Sequence, residues 1–168
     1  GMMKPAQIIA QATVYALFAL GIGVLSTRPS YTHFDPARAL IKVSFAHGGE
    51  PVTACRKRSR AELKALAANM RKASICPRQR VALRFELSLD NTVILSETLP
   101  PTGWRGDGSS KIYRRIPTTA GRHTIVAKLR DSRRDQGFDH VSRHTITLVP
   151  GQSLSIDFKP AHGGFIYE

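Results

Sequence analysis

The sequence predicts a mainly β protein: an N-terminal transmembrane helix followed by an antiparallel β-sandwich of about seven strands, with one amphipathic helix inserted. Three observations carry that prediction. Residues Ala6 to Leu25 (AQIIAQATVYALFALGIGVL) lie within an uncharged run from Pro5 to Thr27, and twenty helical residues span about 30 Å, the thickness of a bilayer's hydrocarbon core. Beyond them, short alternations of apolar and polar residues recur with turn residues between them, the pattern of half-buried strands. Between the first two alternations, residues 55–76 change to helical spacing and are bracketed by the only two cysteines.

Of 168 residues, the part after the apolar leader is about 140 long, the size of one domain with a real core. The net charge of +13 is unevenly placed: residues 56–80 hold nine basic side chains against Glu62 alone, which is +8 of the total. The basicity is therefore a local patch.

Residues 1–27 read as an uncleaved signal or anchor. A cleaved signal has an apolar core of about 7 to 15 residues that ends in small residues. Here the core is longer, carries Gln7 and Gln11 in its first turns and ends GVLST. Lys4 favours a cytoplasmic N-terminus, and a long C-terminal domain is translocated regardless of its own charge. The expected location is thus a bacterial inner membrane, crossed once, with the folded domain in the periplasm. Gln7, Gln11 and Tyr15 recur every four residues and share one helical face. That stripe could contact a partner helix inside the bilayer, or Gln7 and Gln11 could reach the headgroups. Residues 28–38, with Pro29 and Pro36, form a juxtamembrane linker.

The sandwich is expected over 39–168. Its first strand, Ala39 to Ala46, sets Ile41, Val43 and Phe45 against Leu40, Lys42 and Ser44. The insertion 55–76 follows. Ser59 and Glu62 have capping-box spacing, in which each side chain satisfies a free backbone N–H at a helix start. Leu63, Leu66, Ala67 and Met70 then give one apolar face over about 60–72. Cys55 and Cys76 flank the excursion, and in an oxidising compartment such a pair reads as a disulfide closing the loop. Copper or zinc on the two thiols is the alternative, but no second CxxC or HxxxH cluster stands beside them.

The basic side chains Arg56, Lys57, Arg58, Arg60, Lys64, Arg71 and Lys72 are either a solvated helix face or a docking patch for an acidic protein surface or anionic lipid. Nucleic acid is not expected, because no stacking aromatics are interleaved with them.

Arg80 to Asp90 is the clearest strand, with Val81, Leu83, Phe85, Leu87 and Leu89 on one face. Asp90-Asn91 is a tight turn into Thr92 to Leu99. Pro100-Pro101 end that strand and open a glycine-rich loop containing Trp104. Trp104 could be an exposed anchor for a partner or for headgroups, but a tryptophan in such a loop is expected to fold back over the core. The adhesion-like tripeptide Arg105-Gly106-Asp107 is short enough to match by chance. Further strands are expected at Lys111–Ile116, Arg122–Arg130 after a turn at 117–121, Val141–Val149 and Leu154–Phe158. Phe165, Ile166 and Tyr167 read as a closing strand of the same domain, or as one that inserts into a neighbour.

The stretches IPTTAGRHTIVAKLRDS (Ile116 to Ser132) and TITLVPGQSLSIDFK (Thr145 to Lys159) resemble the repeated pattern of PEGA-type envelope domains, in which a turn with Gly and His leads into one strand and a PGQ turn joins the last two. The resemblance covers about a quarter of the chain and implies an immunoglobulin-like sandwich. Two departures stand out: Asp131-Ser132 replace the family's usual Gly-Tyr, and the cysteine-bracketed segment has no counterpart. It implies little about a ligand.

No catalytic motif is present: no G-x-S-x-G, H-E-x-x-H or phosphate loop. Of the six histidines, His140 and His144 share a strand face roughly 13 Å apart, too far to bind one metal together. No cofactor and no catalysis are expected. The expected function is a membrane-anchored accessory or assembly subunit that binds an inner-membrane protein complex. Small single-span subunits of this build accompany respiratory and electron-transfer assemblies, and the expectation leans that way. An envelope-polymer or glycan-binding module, or a copper or thiol carrier, are the alternatives.

Overall fold

The computed structural model describes residues 4–27 and 35–168. The chain divides into two compact units, one holding the N-terminal helix and one running from Pro36 to Glu168. Most of the expected linker, including Pro29, lies outside the described residues.

In the first unit, helix α1 (Pro5–Thr27) is long and apolar enough to cross a membrane and buries none of its residues within the protein. Several of its polar side chains bond to groups one turn away. Gln7 Oε1 accepts from the Lys4 backbone N–H (3.1 Å), and Gln11 Nε2 donates to Tyr15 Oη (2.9 Å). The Thr13 and Thr27 hydroxyls donate back to the carbonyls of Ile9 and Gly23.

The second unit is a two-sheet sandwich with a protruding excursion. Its elements are β1 (Arg38–His47), β2 (Arg56–Lys57), α2 (Arg60–Lys64), β3 (Ser74–Ile75), β4 (Leu83–Leu89), β5 (Thr92–Leu99), β6 (Ser110–Thr119), β7 (Gly121–Arg130), β8 (His140–Leu148), β9 (Ser153–Lys159) and β10 (Gly164–Tyr167). One sheet has the order β10-β9-β1-β6 and the other β5-β4-β7-β8, while β2 and β3 form a separate ribbon. The closing strand expected at Phe165–Tyr167 is β10, which pairs antiparallel with β9. With it, the two sheets hold eight strands where the alternation counted seven. All these pairings are antiparallel except β1 with β9, which run parallel with Leu40 opposite Ser153 and Val43 opposite Ile156.

The inward faces share one core. Ile41, Val43, Phe45, Ile156 and Phe158 from the first sheet meet Leu83, Phe85, Leu87, Ile125, Leu129 and Leu148 from the second. The Phe45 and Phe85 rings join the two layers edge to face, 5.3 Å between centroids. On one open side, the Arg114 guanidinium of β6 holds both carboxylate oxygens of Glu97 on β5, at 2.7 and 2.9 Å.

Two turns show how the chain enforces this. Asp90 and Asn91 both take left-handed backbone (φ +50° and +67°), the two-residue hairpin turn whose twist matches its strands. The turn expected over 117–121 is shorter, because β6 continues through Pro117, opposite Leu40, to Thr119. β6 is an edge strand, where a proline is tolerated.

Candidate binding surface

Residues 50–80 leave the sandwich between β1 and β4 and return to it without burying a single side chain. Hydrogen bonds and one covalent link therefore hold this excursion, in place of a core.

At its root, the Glu50 N–H donates to the Asp131 carbonyl (2.7 Å) and the Val81 N–H to the Glu50 carbonyl (2.9 Å). Asp131 Oδ2 in turn lies 2.7 Å from His47 Nε2 and 3.2 Å from His140 Nε2. Both imidazoles stand edge-on to Phe158. The ends of β1, β7 and β8 thus converge where the excursion begins. Gly49 makes the crossing possible, since a Cβ there would sit 2.5 Å from the Val81 carbonyl oxygen.

Further out, Cys55 and Cys76 form a disulfide. Just beyond it, β2 and β3 pair Arg56 with Ile75 and Lys57 with Ser74. With both cysteines joined, the thiolates that a copper or thiol carrier would use are absent in this state.

At the tip, α2 starts as its sequence predicts. The Glu62 N–H donates to Ser59 Oγ (3.2 Å) and the Ser59 N–H to Glu62 Oε2 (2.7 Å). The helix expected to reach 72 nevertheless stops at Lys64 and resumes only as a 3-10 turn at Ala68–Met70. A helix this short is marginal unless its apolar face packs on something. Leu63 and Leu66 are only partly covered and Met70 is 58 % exposed, so nothing extends it.

The seven basic residues singled out from the sequence fall into two groups. Arg56 grips Glu62 with two bonds (2.8 and 3.1 Å). The hydrogen bonds from Arg56 and from the Ser59 N–H lower the Glu62 carboxyl to about 2. Arg58 Nη1 donates to the carbonyls of Met70 and Lys72, and Arg71 Nε to that of Leu66. These three arginines fold the excursion. Lys57, Arg60, Lys64 and Lys72 make no side-chain hydrogen bond or ion pair among the described residues and are free to meet another molecule.

Trp104 corrects an expectation: it does not fold back over the core but stands fully exposed. The loop carrying it closes on itself. The Gly106 N–H donates to the Gly103 carbonyl, the Gly108 N–H to the Thr102 carbonyl, and Thr102 Oγ1 to the Ser109 carbonyl (2.8 Å). Gly103 and Gly106 have positive φ, so the turn bends tightly and leaves the indole at its tip. The loop is tied to the excursion's returning strand by the Arg80 N–H to the Gly106 carbonyl (2.9 Å) and by Arg78 Nε to Asp107 Oδ2 (3.3 Å). Between them lies an open recess of about 440 Å³ lined by Pro77, Arg78, Gln79, Trp104 and Arg105. Sequence reading missed that Arg78 joins Trp104 and Arg105 at this recess, because 26 residues separate Arg78 from Trp104 and only the folded chain brings them together.

The stripe of Gln7, Gln11 and Tyr15 belongs to α1, and each amide has donor or acceptor capacity beyond the bonds described. Among the described residues no group of three His, Cys, Asp or Glu is placed to hold a metal ion. His140 and His144 go to different partners, Asp131 and the stacked ring of Tyr167 (4.5 Å). His33 lies outside the described residues.

No protein-family model, curated protein or solved structure matches the chain.

Proposed function

We propose that the chain is a non-catalytic, membrane-anchored accessory or assembly subunit, held by α1 in a bacterial inner membrane with its sandwich in the periplasm. Its binding element is the excursion, which docks on an acidic surface of an integral membrane protein complex, with respiratory assemblies as the leading class. Gln7, Gln11 and Tyr15 add a contact inside the bilayer.

One observation carries this reading. The excursion fully buries none of its side chains, yet its conformation is locked by a disulfide, a capping box and three internally bonded arginines. Ordering a segment costs roughly 1 to 2 kcal/mol per residue in backbone entropy. A segment that returns no core contact for that cost is explained by what it presents, here four free cations on a rigid mount.

The test uses the full chain purified in mild detergent. Substituting Lys57, Arg60, Lys64 and Lys72 together with glutamine leaves the three structural arginines in place. The expected result is loss of the co-purifying membrane partner with thermal stability unchanged. Full retention of the partner by the quadruple variant rejects the excursion as the binding element.

A further inference from the structure

We infer that the Trp104 loop is a second contact surface, directed at lipid: Trp104, with Arg78 and Arg105 beside it, seats among the headgroups of an anionic leaflet. The inference rests on the proposed anchoring of α1.

Five observations lead there. Trp104 is fully exposed on a turn whose backbone is bonded internally and to the excursion's stalk, so the indole is held outward by structure. An indole, apolar in body with one N–H donor, belongs at the boundary between hydrocarbon and water. Arg78 and Arg105 line the recess beside it. Arg78 is 82 % exposed despite its approach to Asp107, and a pair so open to solvent leaves its charge available to phosphate oxygens.

The recess beside the indole is open, whereas sites for small molecules enclose most of their ligand. An extended layer of headgroups suits this shape better. Val52 and Ile75, both about two-fifths exposed, add apolar surface on the same stalk. Val52 donates its N–H to Gln79, which lines the recess.

Chain length supplies the last step. Residues 28–37 separate the end of α1 from the start of β1, and ten residues reach at most about 35 Å. A domain tethered that closely to a span meets the adjoining leaflet at high effective concentration, so a modest intrinsic affinity suffices.

Trp104 is the only tryptophan, so intrinsic fluorescence reports this loop alone. The full chain is reconstituted into vesicles of phosphatidylcholine, with or without phosphatidylglycerol. With the anionic lipid, emission should shift to the blue, acrylamide quenching should fall severalfold and brominated acyl chains should quench. Substituting Arg78 and Arg105 with glutamine should restore the water-exposed spectrum. Two outcomes overturn the inference: acrylamide access in anionic vesicles equal to that in detergent, or protection that is the same with and without phosphatidylglycerol. Alkaline carbonate washing of the same vesicles separates the two readings. If the chain washes out, the anchoring fails and the inference with it. If it stays while Trp104 remains in water, only the inference fails.

Discussion

His123 Nδ1 sits 2.6 Å from Asp90 Oδ2, joining β7 to the turn between β4 and β5. The other ring nitrogen, Nε2, is 2.9 Å from the Thr119 carbonyl oxygen. An acceptor on each side favours the doubly protonated imidazolium. Accordingly, the hydrogen bond to Asp90 raises His123 against the opposing effect of burial. Asp90 is lowered, first by the Thr124 N–H and then by His123.

These shifts set a pH window. A raised histidine contributes stability that is present below its ordinary value of 6.5 and lost as pH rises through its folded value. A lowered aspartate contributes stability that is present above 3.8 and lost as pH falls through its folded value. The pair therefore supports the fold most between the two. The melting temperature should decline as pH rises from about 6 to 9, and His123→Gln should remove much of that decline. A wild-type melting temperature flat across this range would refute the assignment.

The disulfide should protect the excursion more than the sandwich. Closing a loop of this length constrains the unfolded chain by roughly 3 kcal/mol in the chain-entropy model. Residues 50–80 contribute no side chain to the core, so cutting the link frees them in the folded state too, and the two entropies largely cancel. Replacing Cys55 and Cys76 with serine should cost the sandwich less than about 1 kcal/mol. Trypsin cleavage between Arg56 and Lys72 should accelerate strongly. A large loss in denaturant midpoint would mean that the excursion supports the core after all.

Core and loop aromatics should behave oppositely. Phe85 is fully buried between the sheets, and Phe85→Ala should cost about 3 to 5 kcal/mol by urea unfolding. Trp104→Ala should stay within about 0.5 kcal/mol of wild type. A costly Trp104 variant would show that the loop closes over the sandwich in solution.

Gly49 is a steric test of the excursion's root. A methyl there meets backbone, the Val81 carbonyl oxygen, which has no rotamer to retreat into. Gly49→Ala should destabilise by about 1 to 3 kcal/mol, and hydrogen exchange at Glu50 and Val81 should quicken first. Unchanged exchange at both amides would show that the root yields without cost.

What the sequence determined by itself was whatever depends on neighbours a few residues away. The period of two in Leu83, Phe85 and Leu87 marks a strand with one buried face. The three-residue spacing of Ser59 and Glu62 marks a helix start. Asp90-Asn91 marks a tight turn, and an uncharged run marks a span-length helix. Each is a local rule, satisfied or broken within one or two turns of chain. Tertiary structure alone decided the rest, because it depends on what lies opposite. The apolar period after Glu62 could not say that its face would find nothing to pack on and that α2 would stop at Lys64. Nor could seven similar basic residues reveal which three would be used up on carbonyls and a carboxylate inside the excursion. The parallel pairing of β1 with β9, the meeting of His47 and His140 on Asp131, and the placing of Arg78 beside Trp104 all join positions far apart in the chain. Such partners are chosen only when the two sheets close on their shared core and fix where each connecting loop must emerge.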